Sequence, residues 1–268
     1  MSLGLKVTIL GSGSSGGVPR IGGADGAGEW GVCDPKEPKN RRRRCSILVE
    51  RGDTRVLVDC SPDMREQLID ARVSKLDAVL ITHDHADQTH GIDDLRMVAQ
   101  SMMRRVDVYG TEETHRVLTT RFGYCFKGNE VGAYPAILER HVLLRPFKPF
   151  AIEGKGGPIP VLAFDQDHGS MISQGFRFGP IAYSSDVFDL DDAAFTALEG
   201  VECWIVDALR YRPHPTHAHL QKTLSWIERL RPKRAILTNL HIDMDFATLA
   251  RSLPAGVEPA YDGLTIMS

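Results

Sequence analysis

A chain of 268 residues with 42% hydrophobic and 25% charged side chains is too apolar for a disordered protein and long enough to bury a sizeable core. Its 32 basic and 35 acidic residues leave a formal charge of −3, so no global positive field draws it to nucleic acid. Five cysteines at irregular spacing argue against a disulfide framework, and no run approaches the ~20 apolar residues of a membrane helix.

The elements read in chain order are those of an α/β protein, expected as a single domain over residues 1–268. Lys6–Leu10 predicts a short buried strand, followed by the glycine-rich Gly11–Gly17 and an irregular stretch to about Arg44. Cys45–Glu50 and Arg55–Asp59 predict two strands around a turn at Gly52-Asp53, and Pro62–Ala71 a helix. Ala78–Ile81 is an apolar strand running into a histidine cluster; helices are expected at about 93–104 and 111–121. Strands follow at Pro160–Phe164, Phe176–Phe178, Ile181–Ser184, Trp204–Asp207 and Ala235–Thr238. Ala218–Leu230 reads as an amphipathic helix, with Thr216 as its expected N-cap. Two strand-rich halves with helices after strands imply packed sheets with helices outside.

The central motif is Thr82-His83-Asp84-His85-Ala86-Asp87-Gln88-Thr89-His90-Gly91. On an extended strand end, residues i, i+2 and i+4 point the same way, which would bring His83, His85 and Asp87 together as two imidazoles and a carboxylate. That set suits Zn²⁺, or Mn²⁺ and Fe²⁺ with more oxygen ligands. Three further strand ends carry His168, Asp186 and the Asn239–His241 pair.

The order of these groups resembles the metallo-β-lactamase fold, and within it the phosphoribosyl cyclic phosphate phosphodiesterase (PhnP-like) branch. Gly11–Pro19, Lys39–Ser46, Val58–Asp63, Gly91–Arg96, His214–His217 and Leu237–Asp245 carry the likeness across nearly the whole chain. The resemblance implies an αββα sandwich with the active site at the sheet edge. It implies a first metal on His83, His85 and His168, and a second on Asp87, with Asp186 bridging. Gln88 and Asn239 stand where the family pattern has histidine, and each is followed two residues later by a new one, His90 and His241. Either the amide carbonyls make the second site richer in oxygen, favouring Mn²⁺ or Fe²⁺, or His90 and His241 replace the lost ligands, or the second metal is weak or absent. The reading adopted is two divalent ions, Zn or Mn with Fe as a further candidate, and a softened second site. A structural zinc known in part of the branch is not expected, because only Cys33 remains of its cysteine cluster and Ile242 replaces its histidine.

The expected function is a metal-dependent phosphodiesterase hydrolysing a small cyclic or nucleotide-like phosphate ester through a metal-bound hydroxide. His217 is the expected proton donor to the leaving group, with Asp186 beside the reacting centre. His90, His214, His219 and Arg44 are candidate substrate contacts, and Arg42 shares a strand face with Arg44 where an anion could be gripped. Gly11–Gly17 could offer backbone N–H groups to a phosphate, and Asp59 could brace a metal-ligand histidine. The alternatives are a tRNA 3′-processing-type nuclease of the same fold and a nucleotide-binding protein that has lost turnover. The partners expected are a small phosphate ester or nucleotide, neither membrane nor nucleic acid; homodimers are common among relatives of this kind. The start Met1–Leu10 has none of the regions of a signal peptide, so the expected location is cytoplasmic.

Overall fold

The computed structural model describes residues 4–128 and 134–268. The first half supplies β1 (Lys6–Gly11), β2 (Ser46–Arg51), β3 (Thr54–Val58), β4 (Ala78–Leu80), β5 (Val106–Gly110) and β6 (Leu138–Val142). The second supplies β7 (Phe150–Ile152), β8 (Ile159–Asp167), β9 (Ile172–Phe178), β10 (Ile181–Ser184), β11 (Cys203–Asp207), β12 (Arg234–Thr238) and β13 (Val257–Pro259). β14 (Thr265–Met267) returns to the first half, so the two seven-stranded sheets run β14-β1-β2-β3-β4-β5-β6 and β13-β12-β11-β10-β9-β8-β7.

The helices are α1 (Met64–Asp70), α2 (Ala86–Thr89), α3 (Leu95–Met102), α4 (Glu112–Arg121), α5 (Gly123–Lys127), α6 (Asp192–Leu198), α7 (Leu220–Leu230) and α8 (Phe246–Ser252). Strand alternation decides the layering. In β2, Ile47 and Val49 face the other sheet while Leu48 faces the helices; in β11, Cys203 and Ile205 face inward while Trp204 and Val206 face outward. Three apolar layers result: one between the sheets, one under α1 and α3–α5, and one under α6–α8 with Trp204 and Trp226. Each fully buried Val, Leu or Ile there contributes roughly 1.5–3 kcal/mol. This is the expected αββα sandwich, and no helix among the described residues is long and apolar enough to cross a membrane.

The topology gathers strand ends at one edge. β3 runs parallel to β4, and β10, β11 and β12 run parallel to one another. β8 and β10 both run antiparallel to β9, so β8 also ends on the same side as β10. Gln174 N donates to Thr82 O (2.9 Å), tying the second sheet to the loop after β4. In open α/β sheets ligands collect beyond such C-terminal strand ends.

Candidate metal centre

β4 stops at Leu80, earlier than expected, so His83 and His85 lie in a loop and Asp87 opens α2. The convergence therefore comes from a turn, not from strand alternation. The ring nitrogens of His83, His85 and His168 all lie within 4.8 Å of one another, and the three rings pack edge-on at centroid distances of 4.5–5.2 Å. Two of the three are held from behind. Thr82 Oγ1 lies 3.0 Å from His83 Nδ1 and donates to the buried Asp59 carboxylate (3.0 Å), so it accepts the Nδ1 proton. His168 Nδ1 donates to Thr216 O at 2.7 Å. Both rings thereby keep the Nε2 lone pair for the cluster, and His83 Nε2 is buried with no hydrogen-bond partner. Burial first, then the neighbouring His168 and His85, hold His83 well below the usual histidine range, so it is a neutral donor. An orphaned imidazole nitrogen facing two more fits a divalent cation.

The carboxylates beside this cluster are arranged around amides. Asp59, Asp186 and Asn239 each follow a strand in the left-handed conformation, with φ of 66°, 52° and 60°, which Asp and Asn tolerate better than most side chains. Gln88 Nε2 reaches Asp87 Oδ2 (3.1 Å) and Asp186 Oδ2 (3.3 Å), leaving its own buried oxygen without a partner. Burial and then Asp186 push Asp87 above its usual range. Asn239 Nδ2 lies 3.2 Å from both Asp207 Oδ2 and His217 Nδ1. Asp186 also groups with His168 and His217 within 4.8 Å.

His217 Nδ1 bonds the fully buried Asp207 at 2.8 Å, with Asp186 at 4.0 Å. Burial opposes its charged form, but Asp207, with Asp186 and Asp87 behind it, prevails and pushes it up to about 9. His217 lines a cavity of about 310 Å³ with His214, His241, Ser14, Ser15, Arg20, Leu209 and Arg210.

Several expected contacts are placed differently. His90 is exposed at the end of α2, packs edge-on against Phe122 and belongs to neither ligand cluster among the described residues. His241, expected as a metal ligand, turns Nδ1 toward Asp243 (3.1 Å) and lines the cavity instead. His219, not Thr216, is the N-cap position of α7 and does not line that cavity. Arg44 is committed to Asp63 (2.7 Å) and to Ser15 O (3.2 Å). Arg42 is 2% exposed and bonds Met244 O (2.6 Å) and Asn40 Oδ1 (3.2 Å), so neither arginine presents a free anion grip. Part of the glycine-rich loop's amides are committed within the chain: Ser12 N to Asp262, Gly13 N to Arg43 O, Ser14 N to Leu240 O and Gly17 N to Ser14 O.

Asp207, Thr82, Arg20 and Arg210 were not among the expected site residues. Asp207 carried a usable signal, an aspartate ending a strand as Asp59 and Asp186 nearly do.

Residues 54–242 match the β-lactamase superfamily domain. A solved diphosphatase from the PhnP family superposes with a TM-score of 0.86 at 34% identity, covering 100% of this chain and 98% of that one. An octanoyltransferase of Porphyromonas gingivalis is 30% identical over 264 residues, 97% of this chain; the chain spans about half of that protein, 51% of its length. A ribonuclease Z of Bradyrhizobium sp. is 38% identical over 60 residues, 22% of this chain and 20% of that protein. The chain belongs to the β-lactamase superfamily, as a metallo-β-lactamase-fold hydrolase of the PhnP-like branch.

Proposed function

We propose that the chain is a metal-dependent phosphodiesterase acting on a small cyclic or nucleotide-like phosphate ester. The observation that carries this reading is the His83–His85–His168 cluster with Asp186 and His217 at its edge. A divalent ion held by the three imidazoles would polarise a phosphoryl oxygen and lower the pKa of water toward ~7. Asp186 and Asp87 offer oxygen ligands for a second ion, while Gln88 and Asn239 supply amides in place of imidazoles there. The three-imidazole position suits zinc, and the oxygen-rich one suits manganese or iron. His217 keeps Nδ1 on Asp207, which fixes the ring and leaves Nε2 to give its proton to the leaving oxygen. The similarity to a PhnP-family diphosphatase supports phosphate-ester chemistry. The ribonuclease Z similarity supports a nuclease reading over a much shorter stretch.

The test is hydrolysis of bis(p-nitrophenyl) phosphate by metal-stripped protein with Mn²⁺ or Zn²⁺ added back. Turnover is expected to vanish on stripping and return with metal. Titration should show one tight equivalent and one weak one. His85→Ala should cost more than the ~10–100-fold typical of a residue that only orients a ligand. Tight metal uptake with no turnover on either ion would sink the phosphodiesterase reading.

A further inference from the structure

Arg42 is the only lysine or arginine that is buried among the described residues. A guanidinium withdrawn from water is costly unless its donors are matched. Here Nη2 donates to Met244 O (2.6 Å) and Asn40 Oδ1 (3.2 Å), and Nη1 to His241 O (3.4 Å). Asn40 links it onward: Nδ2 donates to Asp245 Oδ2 (2.7 Å), and Oδ1 also accepts from Phe246 N (2.8 Å). Burial lowers the Arg42 pKa, and Cys33, Asp262 and Asp245 oppose that.

The backbone of the same residue holds a second segment. Arg42 and Val18 exchange both N–H···O bonds at 2.9 Å. Val18, Cys33 and Ile242 pack together beside it, with Cys33 Sγ 3.9 Å from Nη1. Arg42 therefore ties Val18 to the segment from His241 to Phe246. Both segments wall the cavity that His217 lines, because Ser14, Ser15 and Arg20 come from the first and His241 from the second. The three imidazoles of the metal cluster belong elsewhere: His83 and His85 follow β4, and His168 follows β8.

We infer that Arg42 is a positioning residue, an internal cation that holds residues 14–20 and 239–246 together so that the cavity at His217 is formed before substrate arrives. This deepens the proposed function and rests on it for what the cavity receives. A preformed wall spares the substrate the cost of ordering two loops on binding. The planar fork matters, because its two terminal nitrogens serve Met244, His241 and Asn40 at once, which a lysine ammonium does not reproduce. The effect falls on substrate binding, since no metal-cluster imidazole sits on either segment.

The test uses Arg42→Met, which removes the charge, and Arg42→Lys, which keeps the charge and loses the fork. Replacing a buried charge by an apolar side chain of similar size is often neutral for stability, so Arg42→Met is expected to fold. On metal-loaded protein, KM for bis(p-nitrophenyl) phosphate should rise roughly 10–100-fold in Arg42→Met, with kcat within about threefold and the tight metal equivalent unchanged. Arg42→Lys should show a smaller rise, and decides alone if Arg42→Met fails to fold. An unchanged KM overturns the role. So does a tight metal equivalent lost together with KM, because Arg42 would then support the whole fold and not one wall. If the wild type shows no turnover, the proposed function fails, and hydrogen exchange reads the clasp alone. Exchange at least tenfold faster at the Val18 and Phe246 amides in Arg42→Met, with β11 and β12 unchanged, would support it; equal exchange would overturn it.

Discussion

His217 and Asp207 form a hydrogen-bonded pair at 2.8 Å. The Asp207 carboxylate favours the charged imidazole against burial, which suits His217 to carry a proton. A donor that must carry its proton loses activity as pH rises through its own pKa, which places the falling limb of the rate profile on the alkaline side. Asp207→Asn removes the nearest negative charge, and the limb should move to lower pH by ~1–3 units. The measurement is kcat against pH for both proteins at saturating metal; an unmoved limb would take the donor role away from His217. At this scale the sequence was readable where residue type alone settles chemistry. His83, His85, His168 and Asp186 could be chosen because few other side chains bind metals or bridge them. Arg42 and Arg44 misled, because a charge run looks solvated while their guanidinium groups in fact close onto Met244 O and Asp63. Arg20 and Arg210 carry no motif at all, and only the fold brings them to one cavity.

A strand end can position a ligand only if the loop after it is free to approach its support. After β8, His168 reaches Thr216 O because Gly169 holds a left-handed φ of 77°; a Cβ there would lie 2.6 Å from Thr216 Cγ2. Gly169→Ala should cost ~1–2 kcal/mol from the backbone conformation alone. It should also loosen the tight metal equivalent, because the contact that displaces Thr216 carries the His168 hydrogen bond. Gly26→Ala is the control. Its φ of 74° brings the same backbone strain, but no atom lies within 4 Å of the added Cβ, so metal affinity should hold. Equal metal affinity in both variants would mean that the Thr216 support does not tune the site. Elements were legible wherever apolar alternation was strong: the cores of β2, β3, β11 and β12 were all expected within a residue or two. The Thr82–Asp87 segment was not, because a period of two fits an extended strand and this turn equally well in sequence.

Whether the substrate is a small ester or an RNA is decided by charge over the whole surface. Of the 32 basic residues, many are spent in pairs: Arg43 with Asp70, Arg105 with Glu139, Arg145 with Asp165, Lys233 with Glu202 and Arg234 with Glu258. The sum is −3, so an RNA backbone would meet no net attraction from the molecule as a whole. Each phosphate neutralised on a single strand contributes about −0.7 to the slope of log K against log salt. A small phosphate ester carries no condensed counterion layer to release, so its salt slope should be shallow. An RNA-docking surface with six or more contacts would give about −4 or steeper. We expect the shallow slope in kcat/KM for bis(p-nitrophenyl) phosphate between 50 and 200 mM salt, and no cleavage of a precursor tRNA bearing a 3′ trailer at the upper concentration. Trailer removal with the steep slope would return the nuclease reading, and would require basic groups now paired with acids to open toward the RNA.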